Sequence, residues 1–116
     1  MALSLRMVTI DCADPKELVP FWTAATGFGV ASDFGEFVVL APAEEGSAPA
    51  LGLQQVPDAV PGKNRIHMDF HVADREAEVK RLIGLGATEI AVHSVPGFTW
   101  TVLSDPVGNQ FCVAGD

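Results

Sequence analysis

Positive charge is scarce in this 116-residue chain. Lys and Arg number 7 against 15 Asp and Glu, for a formal net charge of −8. Such a chain repels phosphate backbones and anionic lipid, so neither nucleic acid nor a membrane surface is expected as a partner. Cysteine is limited to Cys12 and Cys112, near the two ends of the chain, so no disulfide framework is expected. A single bridge between them stays open, and the plainer alternative is two thiols in a reducing cytoplasm. No apolar run approaches ~18 residues, so no transmembrane helix is expected. "MALSLRMVTID" lacks the apolar core of a signal peptide, which also points to a cytoplasmic location. Low-complexity tracts are missing too. What is present is apolar: 48% of residues, enough for a sizeable core in one small domain.

The chain is written twice. Shifted by 60 positions, Met7 falls on His67, and "CADPKELVPFWTAATG" from Cys12 falls on "VADREAEVKRLIGLGA" from Val72. Ala13 and Asp14 coincide with Ala73 and Asp74, and Gly27 and Gly86 close both segments. "FVVLAP" (37–42) resembles "WTVLSDP" (100–106) after a shift of a few residues, and "ALGLQ" from Ala50 lies over "QFCVA" from Gln110. The period is too long for a solenoid, so two tandem units of one small fold are expected.

Each unit reads as strand, helix and three strands. Leu5–Cys12 and Ile66–Val72 alternate apolar and polar residues. In the first helix Asp14 is an N-cap, Pro15 takes the first helical position and Glu17 has capping-box spacing. Leu18, Phe21, Trp22 and Ala25 form its apolar stripe, and Gly27 offers a left-handed stop. Pro20 predicts a kink or a tight first turn. In the second helix Asp74 caps, Val79, Leu82 and Ile83 form the stripe, and Gly86 ends it. Further strands are predicted at about 28–32, 36–41 and 50–56, then 88–93, 99–104 and 109–114. "APAEEGSAPA" is a loop, and "VPDAVPGKN" is the linker. The resulting layout is one domain over 1–116, with module one at 4–56, a linker at 57–64 and module two at 65–114.

Each helix stripe needs a sheet face to cover it. Val8, Ile10 and Cys12 supply that face in module one; Ile66, Met68, Phe70 and Val72 supply it in module two. Met7, Thr9 and Asp11 then lie on one opposite face, and His67, Asp69 and His71 on the other. Two such sheets about a pseudo-two-fold axis would curl these polar faces around a cup.

The βαβββ repeat, "VTIDCADPKELVPFW", "RIHMDFHVAD" and "WTVLSDPVGNQFCV" together resemble the vicinal oxygen chelate superfamily. That superfamily holds glyoxalase I, extradiol dioxygenases, fosfomycin-resistance proteins and bleomycin-binding proteins. The pattern is most similar to the glyoxalase-like domains of bacteria and covers nearly the whole chain. The resemblance implies an α+β fold: two tandem βαβββ modules forming a curved mixed sheet around a cup. It also implies a homodimer. Metal-dependent members take four His, Gln or Glu ligands from the first and last strands of each module. Carried over one position at a time, these fall on Met7, on Gly52 (or Gln54 with a slipped register), on His67 and on Cys112. Only His67 is a usual ligand; Met7 suits neither Mg, Mn nor Fe. Asp69, Asp11, Gln54 or Glu36 would have to complete a set.

The resemblance therefore implies a small molecule bound in the cup without the full metal set and with no cofactor. Two alternatives stay open. One is a metal-dependent lyase, isomerase or dioxygenase with Zn, Ni, Mn or Fe at His67 and Cys112. The other is metal-free acid/base catalysis by His67 with Asp69 or Asp11. Candidate ligand-binding residues are Met7, Thr9, Asp11, Phe34, Phe37, Gln54, Asp69, Trp100 and Cys112. Each has a plainer reading. His67 can be merely hydrogen-bonded, Asp69 can pair with Lys63 or Arg65, and His71 can be exposed rim. Cys112 can be a small buried hydrophobe, and the aromatic residues, Phe98 among them, can be core or dimer packing. "GKNR" (62–65) reads as a solvated loop, and "DPVGN" (105–109) as turn chemistry without a catalytic role.

Overall fold

The computed structural model describes residues 5–61 and 66–115. The chain separates into two compact units, Met1–Val60 and Pro61–Asp116, and the division falls within the stretch read as linker. Lys63 and Arg65, the expected partners of Asp69, and the "GKNR" segment lie outside the described residues.

Unit one runs β1 (Met7–Cys12), a 3-10 turn (Pro15–Glu17), α1 (Val19–Thr26), β2 (Gly29–Asp33), β3 (Phe37–Ala41) and β4 (Ala50–Gln55). Unit two runs β5 (Met68–His71), α2 (Arg75–Leu85), β6 (Thr88–Val95), β7 (Phe98–Ser104) and β8 (Gln110–Ala114). The sheets have the orders β1-β4-β3-β2 and β5-β8-β7-β6. Each is mixed, with one parallel pair (β1 with β4, β5 with β8) and antiparallel pairs elsewhere. The molecule is thus α+β, with βαβββ repeated. No helix among the described residues is long and apolar enough to cross a membrane.

Pro20 shows how the first helix begins. Pro15 opens a 3-10 turn, and Pro20 sits within the first two positions of α1, where its missing N–H costs nothing. The tight first turn predicted from Pro20 is this 3-10 segment. The Asp14 carboxylate accepts the Lys16 N–H at 3.1 Å. Gly27 (φ 77°) closes the helix, its N–H donating to the Thr23 carbonyl at 2.9 Å. Leu18, Phe21 and Trp22 are buried, and the Phe21 and Trp22 rings meet edge to face with centroids 5.0 Å apart. Beneath them, register joins Ile10 to Leu53 and Val38, and Val8 to Leu51 and Leu40, as one apolar face.

Unit two repeats the plan with two departures. The Asp74 carboxylate accepts the Ala77 N–H at 3.1 Å, and Val79 and Leu82 are buried. Ile83, expected in the stripe, is 45% exposed. It sits about 100° around the helix from Leu82, at the edge of the covered stripe. Ile66, expected on the helix-covered face, is 80% exposed. The ladder with β8 begins at Met68 opposite Phe111, so Ile66 precedes the strand. Phe70 and Phe111 meet edge to face at 5.9 Å on the covered face. Arg75, at the start of α2, donates to the Thr101 hydroxyl at 2.8 Å on that same face.

The "DPVGN" turn is built as predicted. Buried Asp105 accepts the N–H groups of Val107 (3.1 Å) and Asn109 (2.9 Å) and the Asn109 amide at 3.3 Å. Gly108 supplies the positive φ of 97°. These bonds hold the turn that launches β8.

Candidate functional site

Directly paired residues of a sheet share a face, and residues two apart on one strand do as well. In unit two, Asp69 pairs with Cys112 and His71 with Ala114. Cys112 pairs onward with Val102, and Ala114 with Trp100. Trp100 pairs in turn with His93. The open face, opposite α2, therefore runs from His67, Asp69 and His71 through Cys112 to Trp100 and His93.

Two groupings stand out on it. At one side, His67 Nε2 lies 3.5 Å from Asp69 Oδ1. One ligand-type atom each from His67, Asp69 and Cys112 lies within 4.8 Å of the others. The imidazole and carboxylate are exposed, while Cys112 is buried. At the other side, Trp100 is flanked by His93 and Phe98, with ring centroids 5.3 and 5.6 Å away and modest interplanar tilts of 31° and 38°. Sequence reasoning named Trp100 and Phe98 but passed over His93. Its signal was the tight Pro96–Gly97 turn: pairing Val95 with Phe98 across it brings His93 opposite Trp100. His71 is exposed at the strand end, as expected.

Unit one has the matching open face, differently filled. Met7 pairs with Ala50, Thr9 with Gly52 and Asp11 with Gln54, and Phe37 also pairs with Gln54. Met7, Thr9, Asp11 and Gln54 are exposed and Phe37 is half-buried. Phe34 lies in the β2–β3 turn and is 75% exposed, so the strand residues Met7, Thr9 and Phe37 come together and Phe34 stands apart. Glu36 is in the same turn, its N–H donating to the Phe34 carbonyl.

The duplicated register lines up the two faces residue for residue. β4 pairs with β1 43 positions on (Met7 to Ala50), and β8 pairs with β5 at the same interval (Met68 to Phe111). Thr9 and Gly52 thus correspond to Asp69 and Cys112. The four-ligand metal set that the sequence resemblance implies does not fit this chain. Gly52 offers no donor, and a Cβ there would lie 2.8 Å from Thr9 Oγ1, 3.0 Å from Phe37 Cζ and 3.2 Å from Met7 Sδ. The space a longer ligand side chain would need is filled by its neighbours. Met7 itself offers only a thioether, a weak acceptor.

Comparison with known proteins agrees with the architecture. A family model described as a glyoxalase-like domain matches residues 7–114. Among solved structures, the chain resembles a genomically encoded fosfomycin resistance protein from Listeria monocytogenes (TM-score 0.80, 12% identity, covering 100% of this chain and 95% of that one). It is similar to a member of the glyoxalase/bleomycin resistance protein/dioxygenase superfamily from Sphaerobacter thermophilus (0.74, 23%, 99% and 98%). It also resembles the bleomycin-binding protein of Streptomyces verticillus, solved with copper(II)-bleomycin (0.68, 16%, 100% and 99%). No curated protein sequence matches the chain. With the βαβββ repeat, the mixed sheets and a family match over nearly its whole length, the chain belongs to the glyoxalase-like domain family.

Proposed function

We propose that this protein binds a small molecule on the open face of unit two, without the full metal set of its superfamily. The observation that carries the reading is the placement on one sheet face of a tilted His93–Trp100–Phe98 shelf on β6 and β7 and, across β8 from it, the His67–Asp69 pair at β5. Small-molecule sites are largely apolar with a few placed polar groups, and this face has that composition. The shelf offers π surface to a planar or apolar portion, while His67 and Asp69 offer a donor and an acceptor to a polar one. The Streptomyces verticillus protein carries a bound small molecule on a similar fold, which supports the reading.

A thermal-shift screen against a metabolite library tests it. Ligands that bind only the folded form stabilise it by about 2.7 kcal/mol at one hundred times Kd. At least one compound is expected to raise Tm, with the rise lost in Trp100→Ala. A library without hits, or hits that stabilise Trp100→Ala equally, would contradict it.

The protein is further inferred to pair as a homodimer in a reducing cytoplasm. Strand β6 ends its sheet with Ile90, Val92 and Val95 half-exposed, an edge that a second copy could cover. Sedimentation at micromolar concentration reads the mass directly; a monomer there would end this inference.

A further inference from the structure

We infer that a second cavity of unit two, beside Arg75, receives the carboxylate of a compact organic acid. Arg75, Val95, Gly97, Phe98, Thr99 and Gly115 line a space of about 280 Å³ next to the β6–β7 turn. Its cation is held on the helix-covered face, where Arg75 bonds to Thr101. The inference therefore does not depend on the small-molecule reading of the open face.

Arg75 is a poorly compensated cation. Its side chain is only 12% exposed, yet its one short bond goes to a neutral group, from Nη1 to the Thr101 hydroxyl at 2.8 Å. Thr101 is itself fully buried. Glu76 Oε1 stands 3.9 Å from Nη2, beyond hydrogen-bond reach, on a side chain that is 80% exposed and screened by water. Nε is buried and has no hydrogen-bond partner among the described residues. In a chain of net charge −8, carboxylates are plentiful, but none closes on this guanidinium. Burying a charge without a close partner is costly, and an incoming anion relieves that cost. Nε–H and the adjacent Nη2–H form the planar fork that matches the two oxygens of a carboxylate. Thr101 occupies Nη1 and leaves that fork without a hydrogen bond. A small adjustment of the side-chain torsions turns it to the cavity.

The rest of the lining selects the ligand class. Thr99 Oγ1 lies 2.9 Å from the Ser94 hydroxyl, and either can donate. When Ser94 donates, the Thr99 hydrogen is available to an oxygen in the cavity. Val95 and Phe98 are half-exposed apolar side chains, so the body of an organic acid gains by covering them, whereas a bare inorganic anion has nothing to cover them with. Gly115 contributes backbone alone: a Cβ there would collide with the Val72 carbonyl. The volume falls just under the ~300–1,000 Å³ of drug-sized sites, which suits a short acid.

The test is a titration of the full chain with sodium benzoate at constant ionic strength, followed in nitrogen–proton spectra through the arginine Nε–H and backbone amide signals. The Arg75 Nε–H is identified by its loss in Arg75→Lys. Benzoate is expected to bind with a millimolar dissociation constant and to shift that signal together with the Thr99 and Gly115 amides. At micromolar ligand such an affinity leaves Tm unmoved, so compounds found by thermal shift do not report on this cavity. Benzamide, with the same ring but no charge, should bind at least tenfold more weakly, and so should inorganic phosphate. Arg75→Gln and Arg75→Lys should each weaken benzoate at least tenfold, the second because it keeps the charge and loses the fork. Should either variant fail to fold, the Nε–H shift and the benzamide comparison on the unaltered chain decide. The inference fails if the Arg75 Nε–H stays in place, or if benzamide or phosphate binds as tightly as benzoate. A benzoate response confined to the Trp100 indole also overturns it, while leaving the open-face reading intact.

Discussion

Gly52 and Cys112 stand at equivalent places in the two units, and the contrast between them separates the two open faces. At Gly52 the neighbours Thr9, Phe37 and Met7 have closed over the position a side chain would take. Gly52→Ala is expected to cost about 1–3 kcal/mol, as overpacking does, because Thr9 is β-branched and the Phe37 ring is half-buried. Gly52→Glu, which would restore a coordinating residue type, should cost more and gain no metal affinity. Thermal unfolding of both variants checks this, and wild-type Tm for Gly52→Glu would show that the position is open. His67 and Asp69 were legible from alternation alone, because strand geometry fixes which side they share. The closeness of Cys112 to them was not, since it comes from a ladder joining residues 43 apart and register is not written locally. Filling around Gly52 was equally hidden: a glycine in a strand gives no sign of what approaches it.

At the scale of elements, helix ends and the βαβββ order along the chain were readable, and exact extents and the order of strands within each sheet were not. Asp14, Asp74, Gly27 and Gly86 marked both helices because capping and left-handed closure depend on local chemistry. Ile83 misled because its i+4 spacing from Val79 fits a broad stripe, whereas this helix buries only a narrow one through Val79 and Leu82. Ile66 misled because alternation continues past the point where the partner strand begins. The outer surface of α2 carries one testable ion pair. Glu78 and Arg81 meet at 2.6 Å and again at 2.8 Å as a two-pronged contact. The hydrogen bond from Arg81, aided by its charge and partly opposed by burial, holds the Glu78 carboxyl below the usual range. A folded-state pKa that is lowered stabilises the fold above the unfolded glutamate value of ~4.3, and the contribution disappears as pH falls through the lowered pKa. Arg81 is 44% exposed, so solvent screening keeps the effect small. Arg81→Gln should cost about 0.2–0.5 kcal/mol near pH 7 and nothing once Glu78 is protonated. Urea unfolding at both pH values checks this; an equal loss in strong acid would assign the effect to packing instead.

Across the whole molecule, the duplication governs what can be inferred. Parallel ladders with the same 43-residue interval recur in both units, so the 60-residue repeat seen in the sequence is a repeat of hydrogen-bonding register as well. Chemistry has diverged on top of it: a packed glycine in one unit, a thiol beside an imidazole and a carboxylate in the other. The two tryptophans separate core from site, with Trp22 buried on α1 and Trp100 on the open face of unit two. A nitrogen–proton correlation spectrum of the full chain, recorded with and without compounds that raise its Tm, therefore reads the central claim at two indole signals. The account predicts that such compounds displace the Trp100 indole signal and leave that of Trp22 in place. Stabilising compounds that leave the Trp100 signal unmoved would contradict it.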